Sequence, residues 1–198
     1  MNKQNFSGRI FTCSDLHFNH LSAIQYCPGR GSTVEEMNEK IISNWNELVS
    51  PDDKTIIVGD VAMGKIVEAP PLIRRLNGKK ILVRGNHDKT LVKMIQGHFE
   101  EYGDLFETIT FQYEMTHKVD DVKHQIVFAH FPFYHWAGQD RGVINLFGHL
   151  HSAPDNRFIS PYKQMDVGID GNYLKPYLLD DVVRIVRARP DAPNHHDR

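Results

Sequence analysis

The chain has 198 residues, of which 40% are apolar and 24% are charged, values that are typical of a globular protein with a buried core. Acidic residues outnumber basic residues by 25 to 23, which argues against binding to extended duplex DNA or a membrane surface through overall charge. The sequence contains neither a run of about 18 apolar residues nor a signal-peptide pattern, and its 2 cysteines suit a reducing compartment. We therefore expect a cytoplasmic protein. The 12 histidines stand out, because histidine is the commonest metal ligand and a frequent acid–base group.

Short apolar runs alternate with helical patterns in the first half of the chain, which is typical of an α/β fold. A helix is predicted after Thr33, because Thr33 and Glu36 form a capping box and apolar residues then recur at steps of three and four. Further helices are expected from Pro70 onward and after Asp88. The strands in this half are predicted at residues 9–13, 54–58 and 80–84.

The second half of the chain is predicted to be mainly β-structure. Residues 180–188 fit either a helix capped by Asp180 or a terminal strand, because their periodicity does not discriminate between the two. The first two strands of this half are expected to pair with each other. The strands are predicted at residues 106–115, 122–129, 143–147 and 164–168.

No stretch of the sequence has the composition of a linker between domains. We therefore predict a single domain over residues 1–189. Residues 190–198 are expected to form a disordered tail, so that His195 and His196 would be solvated residues without a function.

Five short polar clusters each lie where a predicted strand ends. Loops at the carboxyl ends of strands are where the functional sites of open α/β sheets are usually built. Asp15 and His17 are two residues apart, so on an extended backbone both side chains would point to one face. The same spacing separates His149 from His151. The clusters are Asp15-Leu16-His17, Gly59-Asp60, Gly85-Asn86-His87-Asp88, His130 and Gly148-His149-Leu150-His151.

These clusters supply a large set of possible metal ligands. The donors outnumber the four ligands of a tetrahedral zinc ion, and they suit two octahedrally coordinated ions bridged by a carboxylate and a water. Two divalent cations would outweigh the negative charge of two aspartates and a bridging hydroxide, which favours an anionic substrate such as a phosphate ester. The donors are Asp15, His17, Asp60, Asn86, His130, His149 and His151.

The order of the clusters over residues 15–151 resembles that of the calcineurin-like metallophosphoesterase superfamily. Residues 14–20, with Tyr26-Cys27 and residues 44–46, also resemble a small phage and bacterial subgroup of phosphoesterases. The chain departs from that subgroup at residues 28–31, where Pro-Gly-Arg-Gly replaces Arg-Pro-Phe. The resemblance implies an α/β sandwich of two mixed β-sheets flanked by helices, without a large cap domain.

The resemblance also implies a role for each residue of the clusters. The first ion would be bound by Asp15, His17, Asp60 and His151, and the second by Asp60, Asn86, His130 and His149. Asp60 would bridge the two ions, and a bridging hydroxide would attack phosphorus in line. His87 would protonate the leaving oxygen, and Asp88 would orient the imidazole of His87 or cap the helix that follows. Mn²⁺ is the favoured metal, with iron, Zn²⁺ and Ni²⁺ as alternatives.

Four further residues are predicted to contact the substrate. Arg30 and Arg141 are candidates because a guanidinium group matches the geometry of phosphate, although both also fit surface charges. His20 lies just outside the first cluster and fits either a pocket residue or an exposed loop residue. His135 belongs to an aromatic run, residues 131–136, which fits either a pocket wall or packing.

The favoured function is hydrolysis of a phosphodiester or a nucleotide-type substrate, since the segment between Asp88 and His130 is too short for a large cap over the site. The expected partners are a small phosphate ester, a nucleotide or a short nucleic acid end, but not extended duplex DNA or a membrane. Two alternatives stay open: a phosphomonoesterase with the same site, and a non-catalytic metal-binding scaffold protein of this fold. The sequence does not discriminate between oligomeric states.

Overall fold

A computed structural model describes residues 8–152 and 160–193 of the chain. Its first sheet has five strands in the order β4-β3-β2-β1-β9. Strands β1 to β4 are parallel to one another, whereas the short strand β9 runs antiparallel to β1 at one edge. The strands are β1 (Ile10–Cys13), β2 (Lys54–Ile57), β3 (Lys79–Val83), β4 (Thr108–Thr110) and β9 (Tyr177–Leu178).

The second sheet has four strands in the order β5-β6-β7-β8. Its first two strands form an antiparallel hairpin around Asp120 and Asp121, and the other pairs are parallel. Both sheets are therefore mixed, as the resemblance implied. The strands are β5 (Gln112–Val119), β6 (Val122–Ala129), β7 (Ile144–Phe147) and β8 (Gln164–Asp166).

The two sheets pack face to face, and helices cover the other face of the first sheet. Because side chains alternate along a strand, β2 directs Ile56 into the core between the sheets and Ile57 towards the helices. Helix α6 adds Val182 and Val183 to the core between the sheets. The helices are α1 (Leu21–Tyr26), α2 (Val34–Leu48), α3 (Ala69–Arg74), α4 (Lys89–Gly97), α5 (Phe99–Tyr102) and α6 (Leu179–Arg187).

Helix α2 begins as its sequence predicts. The Thr33 hydroxyl accepts a hydrogen bond from the Glu36 backbone N–H at 3.1 Å. The Glu36 carboxylate, however, accepts from the backbone N–H of Ser32 rather than from that of Thr33, so the reciprocal bond of the capping box is shifted by one residue. The helix buries Met37 and Trp45 against the first sheet.

Two predicted β-segments differ from the structure. Residues 106–115 do not form one strand, because the chain crosses from β4 in the first sheet to β5 in the second between Thr110 and Gln112. The ambiguous segment 180–188 is mainly helical, and its N-cap position is Leu178 rather than Asp180, which lies in the first turn. The segment between Asp88 and His130 contains two short helices and β4 to β6, and none of the described residues forms a cap domain.

Part of the expected C-terminal tail is packed on the sandwich. Ala192 is 5% exposed and lies against Val127 and Trp136 on the outer face of the second sheet. Its backbone N–H donates to the Gln139 carbonyl at 3.1 Å. The prediction of disorder is therefore wrong for residues 190–193, and the remaining part, with His195 and His196, lies outside the described residues.

Candidate metal centre

The five polar clusters follow the carboxyl ends of β1, β2, β3, β6 and β7, and the structure brings them together at one edge of the sandwich. Three groups of three side chains form there, and within each group the donor atoms all lie within 4.8 Å of one another. One of them, Cys27 with His151 and Asp170, lies behind His151, and the other two are named here as donor groups. The first donor group consists of Asp15, His17 and His151. The second donor group consists of Asp60, His130 and His149.

Asp60 joins the two donor groups. Its Oδ2 atom lies 3.7 Å from His17 Nε2 in the first group and 3.3 Å from His130 Nε2 in the second. Asn86 adds its amide oxygen on the side of the second group, where Asn86 Oδ1 is 3.0 Å from His130 Nε2. The predicted donors thus surround a common space, with one carboxylate oxygen between the two groups.

Each of the two aspartates has one oxygen fixed by the backbone and one that faces the histidines. Asp15 Oδ2 accepts from the His149 backbone N–H at 2.9 Å, and Asp60 Oδ1 accepts from the His87 backbone N–H at 2.9 Å. The other oxygens, Asp15 Oδ1 and Asp60 Oδ2, lie against imidazole nitrogens at 3.3–3.9 Å. The backbone therefore fixes the direction in which each carboxylate can bind an ion.

In three of the histidines, the Nδ1 atom contacts a polar group on the side of the ring away from the centre. His130 donates to the Val58 carbonyl at 2.8 Å, His17 Nδ1 is 3.0 Å from His20 Nδ1, and His151 Nδ1 is 2.8 Å from Asp170 Oδ2. Metal-binding histidines characteristically use their second nitrogen in this way, which fixes both the tautomer and the ring orientation. Each ring consequently presents Nε2 to the centre.

Two buried polar atoms at the centre show that these residues fit a metal ion. Asp15 Oδ1 and His17 Nε2 are buried, and neither has a hydrogen-bond partner among residues 8–152 and 160–193. The two atoms are 3.8 Å apart, which is longer than a hydrogen bond. Unsatisfied buried polar atoms are costly, and one cation bound by both atoms would satisfy them.

The electrostatics of the centre also favour bound positive charge. Burial alone would raise the pKa of Asp60, but His130, the His87 backbone N–H and His17 together outweigh burial and lower this pKa to about 2. Burial alone would lower the pKa of His151, but its hydrogen bonds to Asp170 and Cys27 and the nearby charge of Asp15 together outweigh burial and raise this pKa to about 10. Both shifts arise because carboxylates face imidazoles at short range, an environment that attracts cations.

The backbone that positions the donors is left-handed rather than extended. Asp15, His17, Asp60, His149 and His151 have φ values between 49° and 73°. The expectation that Asp15 and His17 share a face through strand alternation is therefore wrong, as it is for His149 and His151. Left-handed backbone costs about 1 kcal/mol or more for each non-glycine residue, and aspartate and histidine are among the residues that tolerate it best.

Comparison with known proteins identifies the family. Residues 8–190 match the model of the family described as calcineurin-like phosphoesterase. This chain belongs to the calcineurin-like phosphoesterase family. It is 30% identical over 184 residues to an uncharacterized protein of Methanocaldococcus jannaschii, covering 90% of this chain and 91% of that protein.

Two other similarities agree with this assignment. The phosphoesterase chain is 24% identical over 177 residues to the Gene 66 protein of Mycobacterium phage D29, covering 81% of this chain and 87% of the relative. A crystal structure of a protein of unknown function from Aquifex aeolicus aligns with a TM-score of 0.63 and 20% identity, covering 90% of this chain and all of the other. The first similarity agrees with the expected phage-like subgroup, and the second supports the fold.

Glycines of the phosphoesterase motifs allow the strand ends to approach one another closely. A Cβ atom on Gly59 would lie 2.4 Å from His130 Nδ1, and one on Gly148 would lie 1.9 Å from the Ser14 hydroxyl. A Cβ on Gly85 would lie 2.1 Å from Asp60 Oδ1. Side chains at these positions would displace the donors themselves, so the glycines of the motifs are steric requirements of the centre.

We expect Gly85→Ala to lower the metal content of the purified protein to less than half of the wild-type value. The added methyl group would overlap Asp60 Oδ1 and move the carboxylate that joins the two donor groups. Elemental analysis after dialysis measures this effect. Gly97→Ala is the matched control, because a Cβ there has nothing within 4 Å. Wild-type metal content in Gly85→Ala would contradict the proposed packing.

Asp88 does not orient His87 through its side chain. Its carboxylate is fully buried and accepts three backbone N–H groups, from Gly85 at 2.7 Å and from Asp60 and Val61 at 2.9 Å each. It occupies the N-cap position of α4 but forms no side-chain cap there. The predicted role in orienting His87 is therefore wrong, and the predicted N-cap is right in position but lacks its side-chain hydrogen bond, because the carboxylate instead accepts from its own loop and from the loop after β2. Asp88 instead connects the loop after β2 to the loop after β3.

His87 borders the centre without belonging to either donor group. Its Nε2 atom lies 3.9 Å from Asp60 Oδ2, and 37% of its side chain is exposed. Its ring centroid is 5.6 Å from that of His17. His87 is thus next to the candidate metal ligands and open to solvent, a position from which it could donate a proton to a bound substrate.

Arg30 is buried and turned away from solvent. Its guanidinium forms a two-pronged pair with Asp170 at 2.8 and 2.7 Å and donates to the carbonyls of Asp15 and Leu16 at 2.6 and 2.8 Å. The expected phosphate contact is therefore wrong, because the group is fully buried, four of its N–H groups are taken by these acceptors, and Met37 Sδ lies 3.9 Å from Nη1. Since Asp170 also binds His151, the Arg30–Asp170 pair positions the first donor group, a role that we had not predicted for either residue.

None of the remaining three substrate candidates belongs to either donor group. His20 is 9% exposed and lies between His17 and the Tyr26 hydroxyl, with the latter 3.2 Å from its Nε2. It therefore supports a metal ligand. His135 and Arg141 border a separate depression of about 690 Å³ beside the second sheet. The Arg141 side chain is 74% exposed and pairs with Asp140, as expected of a surface charge.

Proposed function

We propose that this phosphoesterase uses two divalent metal ions to hydrolyse phosphate esters, with phosphodiesters and nucleotide-type substrates favoured. The observation that carries the proposal is the position of Asp60 Oδ2, which lies within 3.7 Å of His17 Nε2 and 3.3 Å of His130 Nε2. A carboxylate oxygen between two groups of donors suits a ligand shared by two ions. Membership of the family supports the reaction class, since its members are described as phosphoesterases.

Different side chains have different roles in the proposed hydrolysis. When bound, divalent cations supply a nucleophile from water at neutral pH and neutralise the charge of the phosphate. The two donor groups and Asn86 would hold these ions. The water oxygen forms a bond to phosphorus and releases one proton to solvent, and the bond from phosphorus to the opposite ester oxygen breaks. That oxygen takes a proton from His87, which then regains one from solvent. A diester thus gives a monoester and an alcohol.

We expect His87→Ala to retain its metal but to lower kcat by about 10²–10⁴-fold for esters with alkyl leaving groups, the usual contribution of a general acid. The effect should shrink for nitrophenyl esters, because nitrophenolate leaves without a proton. A series of phosphodiesters with leaving groups of increasing pKa measures this dependence. Equal slowing across the series would contradict the assignment of His87 as the proton donor.

Parallel assays test the substrate class. Bis-aryl and mono-aryl phosphates should be offered to protein loaded in turn with Mn²⁺, Fe²⁺, Zn²⁺ or Ni²⁺, and we expect the diester to be the better substrate and Mn²⁺ the best activator. Turnover of the monoester alone would replace the diesterase with a phosphatase. Turnover of neither, by metal-loaded protein, would favour a scaffold protein of this fold.

The proposed partners and compartment follow from the chain as a whole. The net charge is -2, which suits small esters or short nucleic acid ends better than extended duplex DNA. Cys13 and Cys27 are free thiols, consistent with a reducing cytoplasm. Among the residues that the structure describes, no helix has the length and apolar character to cross a membrane.

A further inference from the structure

An exposed aromatic side chain lies against the second donor group. The ring centroid of Phe131 is 4.5 Å from that of His149 and 5.1 Å from that of His130. Phe131 nevertheless remains 49% exposed. Phe131 directly follows His130 after the end of β6, so its backbone position is fixed by that of a candidate metal ligand. The ring therefore combines a fixed position beside two candidate metal ligands with a surface that is open to solvent.

A second exposed aromatic side chain lies against the first donor group. The ring centroid of Tyr26 is 6.3 Å from that of His151 and 5.9 Å from that of His20. The Tyr26 hydroxyl contacts His20 Nε2 at 3.2 Å, which fixes the ring, yet the residue is 56% exposed. Tyr26 lies at the end of α1, so a different part of the chain supplies the second ring.

These two rings are unusual neighbours for a charged centre. Exposed apolar surface that is rimmed by polar residues marks interaction and ligand-binding sites, and aromatic rings offer flat faces on which other rings stack. Leu150, which lies between His149 and His151 in the sequence, is a third exposed apolar residue of these loops, at 40% exposure. Tyr26 contacts the first donor group and Phe131 contacts the second. A ligand whose phosphate lies at the donor groups must therefore extend to both sides of that phosphate to contact both rings.

We propose that Tyr26 and Phe131 are two stacking platforms, one for each base flanking a nucleic acid phosphodiester whose phosphate lies at the donor groups. This proposal rests on the proposed function and specifies its substrate class. A dinucleotide unit has a planar base on each side of the phosphate, whereas a mononucleotide or phosphotyrosine has one ring. Stacking of bases on aromatic side chains tolerates any base sequence, so the site would select single-stranded ends without reading their sequence.

Equilibrium binding tests the platforms separately from catalysis. Calorimetry would use full-length His87→Ala protein with Mn²⁺ and three ligands: a thymidine dinucleotide, its abasic analogue and inorganic phosphate. We expect the dinucleotide to bind at least tenfold more tightly than the abasic analogue. Phe131→Ala and Tyr26→Ala should each weaken dinucleotide binding about tenfold, a typical effect of removing one stacking side chain, and leave phosphate binding unchanged.

Two control variants complete this experiment. Tyr26→Phe keeps the ring and removes only the hydroxyl contact with His20, so dinucleotide binding should stay within about twofold of wild type. Phe99→Ala removes a phenylalanine of helix α5. Its side chain is 69% exposed, and it belongs to neither donor group. It should leave the binding of all three ligands unchanged.

The outcomes separate the platforms from the metal centre. Equal affinities for the dinucleotide and its abasic analogue would overturn the platforms but leave the proposed function standing, provided that phosphate binds. Failure of phosphate to bind in the presence of Mn²⁺ would instead contradict the proposed function. Phosphotyrosine serves as a fourth ligand in the same experiment. If it binds as tightly as the dinucleotide, and only one aromatic variant weakens its binding, an aryl monoester would replace the diester and the inference would be overturned.

Discussion

Asp60→Asn is expected to lose most of its bound metal and to lower kcat/KM by about 10³-fold or more, since two-metal stabilisation of the transition state amounts to several kcal/mol. The variant keeps the shape of the side chain but removes its charge. Asp60 Oδ2 lies near nitrogens of both donor groups, so one substitution affects both ions. Elemental analysis and phosphodiesterase assays on the same preparation measure the two effects together.

Asp53→Asn is the matched control for this prediction. Asp53 is also a buried aspartate, at 3% exposure, and it immediately precedes β2 whereas Asp60 follows β2. It accepts hydrogen bonds from the backbone N–H groups of Arg9 and Ser50 and lies in neither donor group. Asp53→Asn should therefore lose stability but keep its metal. Asp60→Asn protein with two ions per chain and wild-type activity would remove the two-metal proposal.

The position of the candidate centre was predictable because it follows from strand order. Asp15, Asp60 and Asn86 each end a parallel strand of one sheet, and parallel strands place their carboxyl ends at the same edge. The order of the motifs then identified the family without any knowledge of side-chain contacts. Sequence reasoning succeeded here because the determining feature, a short polar cluster after an apolar run, is local.

The features that sequence reasoning missed depend on contacts between distant residues. Arg30 and Asp170 are 140 positions apart, so no spacing rule could pair them, and an isolated arginine in a loop has the pattern of a surface charge. Asp88 has the position of a helix cap, but loops elsewhere in the chain supply its donors. The left-handed backbone at Asp15 was not predictable from sequence. Glycine is the residue type that indicates such a backbone, whereas aspartate adopts extended and helical conformations more often.

The support of the first donor group gives the second prediction of large effect. Arg30→Met should destabilise the fold by about 3 kcal/mol, the lower end of the cost of breaking a buried ion pair, because the buried Asp170 carboxylate loses its two-pronged partner and keeps only His151. It should also weaken metal binding by about 10–100-fold, the usual consequence of disturbing a residue that holds a metal ligand. Chemical denaturation of metal-free protein measures the free energy of unfolding. Calorimetry under conditions in which Arg30→Met is still folded measures its affinity for Mn²⁺.

A double variant separates these two effects. Replacing a buried ion pair as a whole is often close to neutral for stability, unlike the removal of one partner. Arg30→Met combined with Asp170→Asn should therefore recover much of the lost stability, while affinity for Mn²⁺ stays low because the amide is a weaker acceptor for His151 than the carboxylate. Arg9→Met removes the partner of Asp53, whose carboxylate lies 2.8 Å from Arg9 Nη2, and should leave metal binding unchanged. Wild-type affinity in the double variant would mean that the Arg30–Asp170 pair stabilises the fold without positioning His151.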